Sequence, residues 1–440
     1  MKKLCNLFTS KTKFTILFYV LVHITLTFSI QIEYKSDALY YYKLAQECIQ
    51  VNEFYPAKKQ LYEDYIVAPL YINIIIIILK IYNSAITISL FNLAVVLLQV
   101  LLLYKITTII FSENIARLTI VLFILYLNTL GLMLQNFTEL FFLVLITASI
   151  YFYMQNRNGH LILSGIFLGG AIAVRPAAWA LVFAFISLQI LISVKNKKII
   201  FNYLFIYSGI LTFIFLFGGF TFLHFGKFEF TSTTGPVNLL LGANNDATGG
   251  FISTVYEKGK AGYIEYPDSL TYIQKGEFYQ EQAVKWITEN PVKWISLAPL
   301  KFFHTYGWDD ISLSGLLGYD YTNFLRVIRI FSDEGDLKIS LPETSALDKI
   351  FYFLVLLLSH LYYYLLLFAI VLGIYHVCKK KLNTDVTSLI LLFSLFATLI
   401  IMITVGTPRY KYPMFILMLP FAAHYFELKL GIGKKGIEGN

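Results

Sequence analysis

SDALYYYKLA, residues 36–45, follows directly on the first long apolar run, Phe14 to Ile30. At helical spacing Asp37, Tyr41 and Ala45 stand at i, i+4 and i+8 and share one face. A carboxylate is thereby set beside an aromatic shelf where a membrane helix gives way to water. With the N-terminus in the cytosol, that place is the outer surface of the bilayer. An interfacial helix whose tyrosines join an aromatic belt is the plainer reading of these residues alone. The rest of the chain has to decide between the two.

Of 440 residues, 57% are hydrophobic and 14% charged, which is too apolar for a soluble globular domain. Several apolar runs of about 17 residues or more reach across roughly 30 Å of hydrocarbon. Uninterrupted runs such as Phe351 to Ile374 argue against a barrel, whose strands alternate apolar and polar. The expected fold class is therefore all-α and polytopic: a bundle of about ten transmembrane helices with a large external loop region. The net charge of +8 gathers at the ends of the apolar runs. Positive-inside bias accounts for that, and no face suited to nucleic acid emerges. Cys5, Cys48 and Cys378 are too scattered for a disulfide framework or a metal-ligand spacing. Lys2, Lys3, Lys11 and Lys13 precede the first run, and no small-x-small cleavage site follows it, so an uncleaved first span is expected.

Apolar runs at 14–32, 66–82, 86–110, 117–131, 138–155, 161–174, 177–194, 201–223, 351–376, 386–405 and 413–428 suggest eleven crossings. Charge parity allows ten. Lys195, Lys197 and Lys198 mark a cytoplasmic loop, as do Lys379, Lys380 and Lys381. Counting back puts Arg157 inside, 132–137 outside, Lys105 and Arg117 inside, and 83–85 outside. The N-terminal lysines put 33–65 outside as well. Both hold only when 66–82 does not cross, so that run is expected to lie along or dip into the outer leaflet within a first external loop, 33–85. Both termini are then cytoplasmic, with Lys429, Lys434 and Lys435 in agreement. The chain divides into 1–223, a transmembrane module of seven spans; 224–349, an external loop region; and 350–440, the C-terminal spans. In the loop region Gly235-Pro236, Gly242, Asn244-Asn245-Asp246 and Gly249-Gly250 read as ordered turns. Ile273 to Glu289 and Pro291 to Tyr306 read as amphipathic helices resting on the membrane.

This topology collects polar residues at one surface. They are Asp37, Glu63 and Asp64 from the first loop, and Asn136 and Glu139 at the mouth of the fourth span. Asn238, Asn244, Asn245, Asp246, Lys301 and His304 come from the large loop, and Arg409, Tyr410 and Lys411 from between the last two spans. Arg175-Pro176 interrupts 161–194, and a charge at membrane depth is expensive unless it faces a cavity or a partner. The blander role for Arg175 is a turn residue snorkelling to the interface; for Glu139 it is a helix N-terminal carboxylate favoured by the macrodipole. Acids and bases converging beside lipid suit a lipid-phosphate sugar donor, whose tail stays in the bilayer and whose phosphate stays at the interface. Arginine or lysine would pair the phosphate and stabilise the leaving group's charge. A carboxylate would take the proton from the attacking hydroxyl.

These residues resemble the GT-C superfamily of membrane glycosyltransferases, and most of all the protein O-mannosyltransferase and aminoarabinose transferase type, family 39. The likeness rests on four stretches: Asp37, Tyr41 and Ala45 after the first span; Ala68-Pro69-Leu70-Tyr71; GPVNLLLGANNDATGG, Gly235 to Gly250; and GTPRYKYP, Gly406 to Pro413. The resemblance implies a GT-C-like helix bundle and an inverting transfer with Asp37 as general base. Arg175, Arg409 and Lys301 would bind the donor phosphate. Tyr41, Asn136, Glu139, Asn238, Asn244, Asn245, His304 and Tyr410 would line the substrate pocket. The family's second acid after the aspartate is Ala38 here, and its glutamate-lysine pair before the proline is Val67-Ala68, so the aminoarabinose reaction is not implied. Lys58 and Lys59 are further candidates for the phosphate contact.

The expected function is transfer of a sugar from a polyprenyl-phosphate carrier to a glycan, lipid or protein acceptor outside a bacterial plasma membrane. The pattern requires no cofactor and leaves room for a divalent metal. A transporter or flippase is the second reading, against which stands the absence of visible repeats and of mid-membrane charges. The third is a polysaccharide polymerase or ligase, which would not need the Asp37 pattern.

Overall fold

The structure, a computed structural model, describes residues 10–62, 65–197, 201–265, 267, 269–317, 346–382 and 384–430. Helices account for nearly all of its regular structure. In chain order they are α1 (Ser10–Ser29), α2 (Ser36–Gln50), α3 (Pro69–Ile81), α4 (Ala85–Ile110), α5 (Glu113–Ile124), α6 (Leu127–Met133), α7 (Glu139–Met154), α8 (Asn158–Val174), α9 (Trp179–Asn196) and α10 (Tyr203–Phe225). Then come α11 (Gly235–Leu241), α12 (Tyr272–Glu289), α13 (Pro291–Ser296), α14 (Ala298–Tyr306), α15 (Ser314–Leu317), α16 (Ala346–Lys379), α17 (Asp385–Ile403) and α18 (Tyr412–Leu430). Local sequence marks several starts. Ser84 and Ser112 accept hydrogen bonds from the first turns of α4 and α5, and Thr271 with Gln274 forms a capping box on α12.

Six helices (α1, α4, α9 with the short turn before it, α10, α16 and α17) are long and apolar enough to cross a bilayer by themselves. The pair α5 and α6 makes a seventh when counted as one broken span. The remaining expected spans are α7, α8 and α18, of 16, 17 and 19 residues. All of them contribute buried residues to one apolar core, in which Phe415 and Leu419 of α18 join Phe123, Leu143, Leu168 and Ile206. The chain is a multi-pass membrane protein.

Two departures from the apolar-run reading carry information. The run 117–131 is not straight: α5 and α6 meet at 60°. The break lets Tyr126 and Asn128 turn toward Asp309, which accepts hydrogen bonds from both. The run 66–82 contains only a 13-residue helix, α3, about 20 Å long at 1.5 Å per residue. It is shorter than α7 and α8, of 16 and 17 residues. It is tied sideways to the first loop, because Asn73 and Tyr55 exchange hydrogen bonds at 2.8 and 2.6 Å.

The expected break at Arg175-Pro176 is present: α8 ends at Val174, a single 3₁₀ turn spans Pro176–Ala178, and α9 begins at Trp179. α8 packs closely on α10 through glycine. A methyl group on Gly165 would lie 2.0 Å from the Ile206 carbonyl oxygen, and one on Gly209 would lie 2.1 Å from that of Ile162. Small residues that let backbones touch are the usual means of helix association in lipid.

The external region forms a second apolar core, in which Val237, Leu240, Leu241, Tyr279, Trp286 and Leu297 meet Val405. The amphipathic stretches expected at 273–289 and 291–306 are helical, as α12 and as α13 with α14. Val292, Ile295, Leu300, Phe302 and Phe303 are exposed there, as membrane-resting helices require. The first loop is stitched to this region where Thr233 N–H donates to the Ile66 oxygen at 2.8 Å and Ile66 N–H donates to Thr233 Oγ1 at 2.9 Å. Cys48 is buried and Cys378 exposed, and neither is in a disulfide.

The charge-based orientation yields a direct check. In a cysteine-free background, Asn83→Cys and Lys258→Cys are expected to react with a membrane-impermeant maleimide on intact cells. Lys197→Cys and Lys379→Cys should react only after permeabilisation. All four native side chains are exposed, so a reversed labelling pattern would refute the orientation.

Candidate active site

Four charged side chains from distant parts of the chain converge where the first loop meets the tops of the helices. Asp37 lies in the first turn of α2. Glu139 is the first residue of α7, Arg175 stands in the break after α8, and Arg409 lies in a 3₁₀ turn, Pro408–Lys411, that leads into α18. One guanidinium nitrogen of Arg409 donates to Asp37 Oδ2. Its Nε lies 2.8 Å from Glu139 Oε1, near enough for ion pairing but not aligned for a hydrogen bond. Arg175 donates to the same Glu139 oxygen at 2.5 Å and to Thr138 Oγ1 at 3.4 Å. Two negative and two positive groups thus balance.

Exposure shows which way the cluster opens. The side chain of Glu139 is 1% accessible, Arg409 13%, Arg175 18% and Asp37 45%. Glu139 is the buried hub and Asp37 the open end. Aromatic rings fix the cations. Arg409 lies over Phe137, 4.4 Å from the ring centroid, and Arg175 over Tyr410 at 4.9 Å. Glu139 Oε2 is buried without a hydrogen-bond partner, a costly state that the two adjacent guanidiniums offset.

Local structure aims Asp37. Ser36, immediately before it, adopts φ +51°, a left-handed conformation that costs a non-glycine residue on the order of 1 kcal/mol. One residue on, the Ala38 carbonyl accepts from Asn136 Nδ2 at 3.2 Å, and Asn136 Oδ1 accepts from the Tyr71 hydroxyl at 2.9 Å. The Tyr41 ring stands edge-on to Tyr71, with centroids 6.3 Å apart. Burial alone would raise the Asp37 carboxyl. The charge and hydrogen bond of Arg409, with the charge of Arg175, outweigh it and hold Asp37 below the ordinary aspartate value.

The structure therefore brings together Asp37, Tyr41, Asn136, Glu139, Arg175, Arg409 and Tyr410. Other expected site residues take different partners. Lys301, expected at the donor phosphate, is buried. Its ammonium donates to the Ile403 carbonyl at 3.2 Å and lies over the Trp294 ring, and desolvation lowers it to about 8. Asn244 bonds the carbonyls of Leu240 and Leu241, and Asn245 joins Ala261 to the Trp286 ring nitrogen, so both serve the loop's own fold. Asn238 lies within α11, its N–H donating to the Thr234 oxygen. His304 packs under Gly250, and burial lowers its pKa. Asn244 and Asn245 are spent on the fold of their own region, and Lys301 joins that region to the end of α17. Lys59 pairs with Glu47 at 2.7 Å. Glu63 and Asp64 lie outside the described residues.

Two of the quoted stretches touch. Gly406 N–H donates to the Gly249 oxygen at 2.9 Å. A side chain at Gly406 would collide with the Lys301 carbonyl, 2.3 Å from its first carbon. Phe137, Asp309 and the partners of Lys411 were not singled out by sequence. Phe137 sits two residues before Glu139, and Lys411 two after Arg409, so their neighbourhood alone was the available signal.

A divalent metal does not fit this donor set. Asp37 and Glu139 already face guanidinium groups, and among the described residues no three His, Cys, Asp or Glu side chains gather.

No protein-family model matches the sequence, and no curated protein matches it. Among solved structures it is similar to the crystal structure of an Archaeoglobus fulgidus oligosaccharyltransferase in the apo form, an enzyme of GT-C fold. The identity is 12%, the TM-score 0.46, and the match covers 96% of this chain and 50% of that one. The chain thus spans half the length of that protein. The likeness concerns helix arrangement and extends neither to family 39 nor to a substrate.

The hub makes a stability prediction. Glu139→Ala leaves two guanidiniums facing each other in a buried setting and should cost about 3–5 kcal/mol, read as a lower unfolding midpoint in lipid nanodiscs. Adding Arg175→Ala rebalances the charge, so the double variant should lose less than the sum of the two single losses. Additive losses would show that Glu139 is not shared.

Proposed function

We propose that this chain is a membrane glycosyltransferase. It moves a sugar from a polyprenyl-phosphate carrier to an acceptor hydroxyl on the outer face of the plasma membrane, with inversion at the anomeric carbon. The observation that carries this reading is the half-exposed Asp37 carboxylate held by Arg409, which shares Glu139 with Arg175. A base beside cations, with lipid within reach, matches what a lipid-phosphate donor requires.

In this mechanism the acceptor oxygen forms a bond to the anomeric carbon as the bond from that carbon to the phosphate oxygen breaks. Asp37 takes the hydroxyl proton. Arg409 and Arg175 pair the phosphate and the charge that grows on it as it leaves. Donor arrival gives Arg409 a second anion to bind, and whatever it releases from Asp37 restores basicity to that carboxylate when it is needed. Tyr41 and Tyr410 supply an aromatic surface for the sugar, and Asn136, held by Tyr71, fixes the Asp37 turn. The acceptor is a hydroxyl of a glycan, lipid or protein.

The test is to incubate purified protein with a panel of polyprenyl-phosphate sugars and follow release of free polyprenyl phosphate. Asp37→Asn should abolish release in a protein that is still folded and inserted; undiminished release would remove the mechanism. Arg175→Ala and Arg409→Ala should lose transfer mainly at low donor concentration. Because Asp37 is held low, activity that needs its ionised form should fail only as pH drops below the ordinary aspartate range. Arg409→Ala should move that acid limb upward. An unmoved limb would detach the pair from catalysis.

A further inference from the structure

Lys411 lies two residues past Arg409, in the same 3₁₀ turn, and its side chain is 1% accessible. Its ammonium donates to the Trp308 carbonyl and, at 3.2 Å, to that of Pro408, and it pairs with Asp309 Oδ1 at 3.0 Å. The Tyr363 ring of α16 covers it, 4.6 Å from the centroid. Asp309 is as deeply held. It accepts from the Tyr126 hydroxyl at 2.8 Å and from Asn128 Nδ2 at 2.7 Å, both at the break between α5 and α6. Its own N–H donates to His360 Nε2 at 3.3 Å. Asn128 also reaches Ser359 Oγ at 3.3 Å, so the network is anchored on α16.

A buried ion pair is weak evidence for stability, because apolar side chains of similar volume often serve as well or better. What it specifies is geometry. The turn that carries Arg409 is tied at its far end by Lys411 and just ahead of its start by the Gly406–Gly249 backbone bond. Arg409 must meet Asp37 and Glu139 together, and its long side chain carries about 2 kcal/mol of rotamer entropy. A loose turn would forfeit that double contact. We infer that Asp309 and Lys411 are positioning residues, which fix the 408–411 turn so that Arg409 is presented to Asp37. That Arg409 is thereby also presented to a donor phosphate rests on the function proposed above; the geometric part does not.

The test reads Asp37 directly. Full-length protein in nanodiscs is treated across a pH series with a carbodiimide, which modifies protonated carboxyls, and Asp37 modification is followed by peptide mass spectrometry. The groups facing Asp37 are Arg409, Arg175, Tyr41 and Tyr410, with Glu139 on the far side of Arg409, and Arg409→Ala sets the size of the arginine's share. Lys411→Met should raise the Asp37 midpoint by about one pH unit or more, most of the way to the Arg409→Ala value. Combining the two should add little. If Lys411→Met does not fold, the charge-balanced pair Asp309→Asn with Lys411→Gln carries the same expectation. A midpoint that Arg409→Ala moves and the Lys411 variants leave unchanged overturns the inference. So does a midpoint that Arg409→Ala itself does not move. A shifted midpoint in the variants, with no transfer by the unaltered protein from any donor of the panel, would sink the function proposed above and leave the positioning role standing.

Discussion

One carboxylate oxygen, Glu139 Oε1, is shared by two guanidiniums that arrive from opposite parts of the chain. Charge at the edge of a bilayer is tolerated only where partners are close and the geometry holds. That requirement binds α7, the break after α8 and the turn before α18 into one arrangement. Asp37 completes it from the first loop, and as the least covered member it is the group an incoming molecule would meet.

The surrounding structure is shaped to keep this arrangement. The first loop is held by the Asn73–Tyr55 exchange, by Asn136 under Ala38, and by the Thr233 clasp on Ile66. The turn bearing Arg409 is held by Lys411 and Asp309 on one side and by Gly249 on the other. Phe137 and Tyr410 carry the two guanidiniums on their ring faces, which limits how far either can stray. Of the other polar groups expected at the site, Lys301 bonds the end of α17 and Asn244 the carbonyls of its own loop.

Much of this was legible in the residues. Asp37 and Tyr41 share a face by spacing alone, and Arg175 declares itself by interrupting an apolar run with a proline behind it. Glu139 and Arg409 were legible as charges at span ends. Parity of basic loops singles out 66–82 as the run expected not to cross, and it holds a helix of 13 residues. The bend at Tyr126 was not legible, because nothing in an apolar run shows that a buried aspartate 183 residues away will draw its tyrosine aside.

What the sequence determined by itself is therefore the set of helices and the end of the bundle at which charge collects, since hydrophobic length and charge bias act locally and additively along the chain. Tertiary structure alone decided which charges meet. Asp37 and Arg409 are 372 residues apart, and Lys301, just as charged, turned to a backbone carbonyl instead. Pairing depends on a few ångströms of helix packing and on which group is desolvated with which, and neither quantity is written in any single stretch of residues.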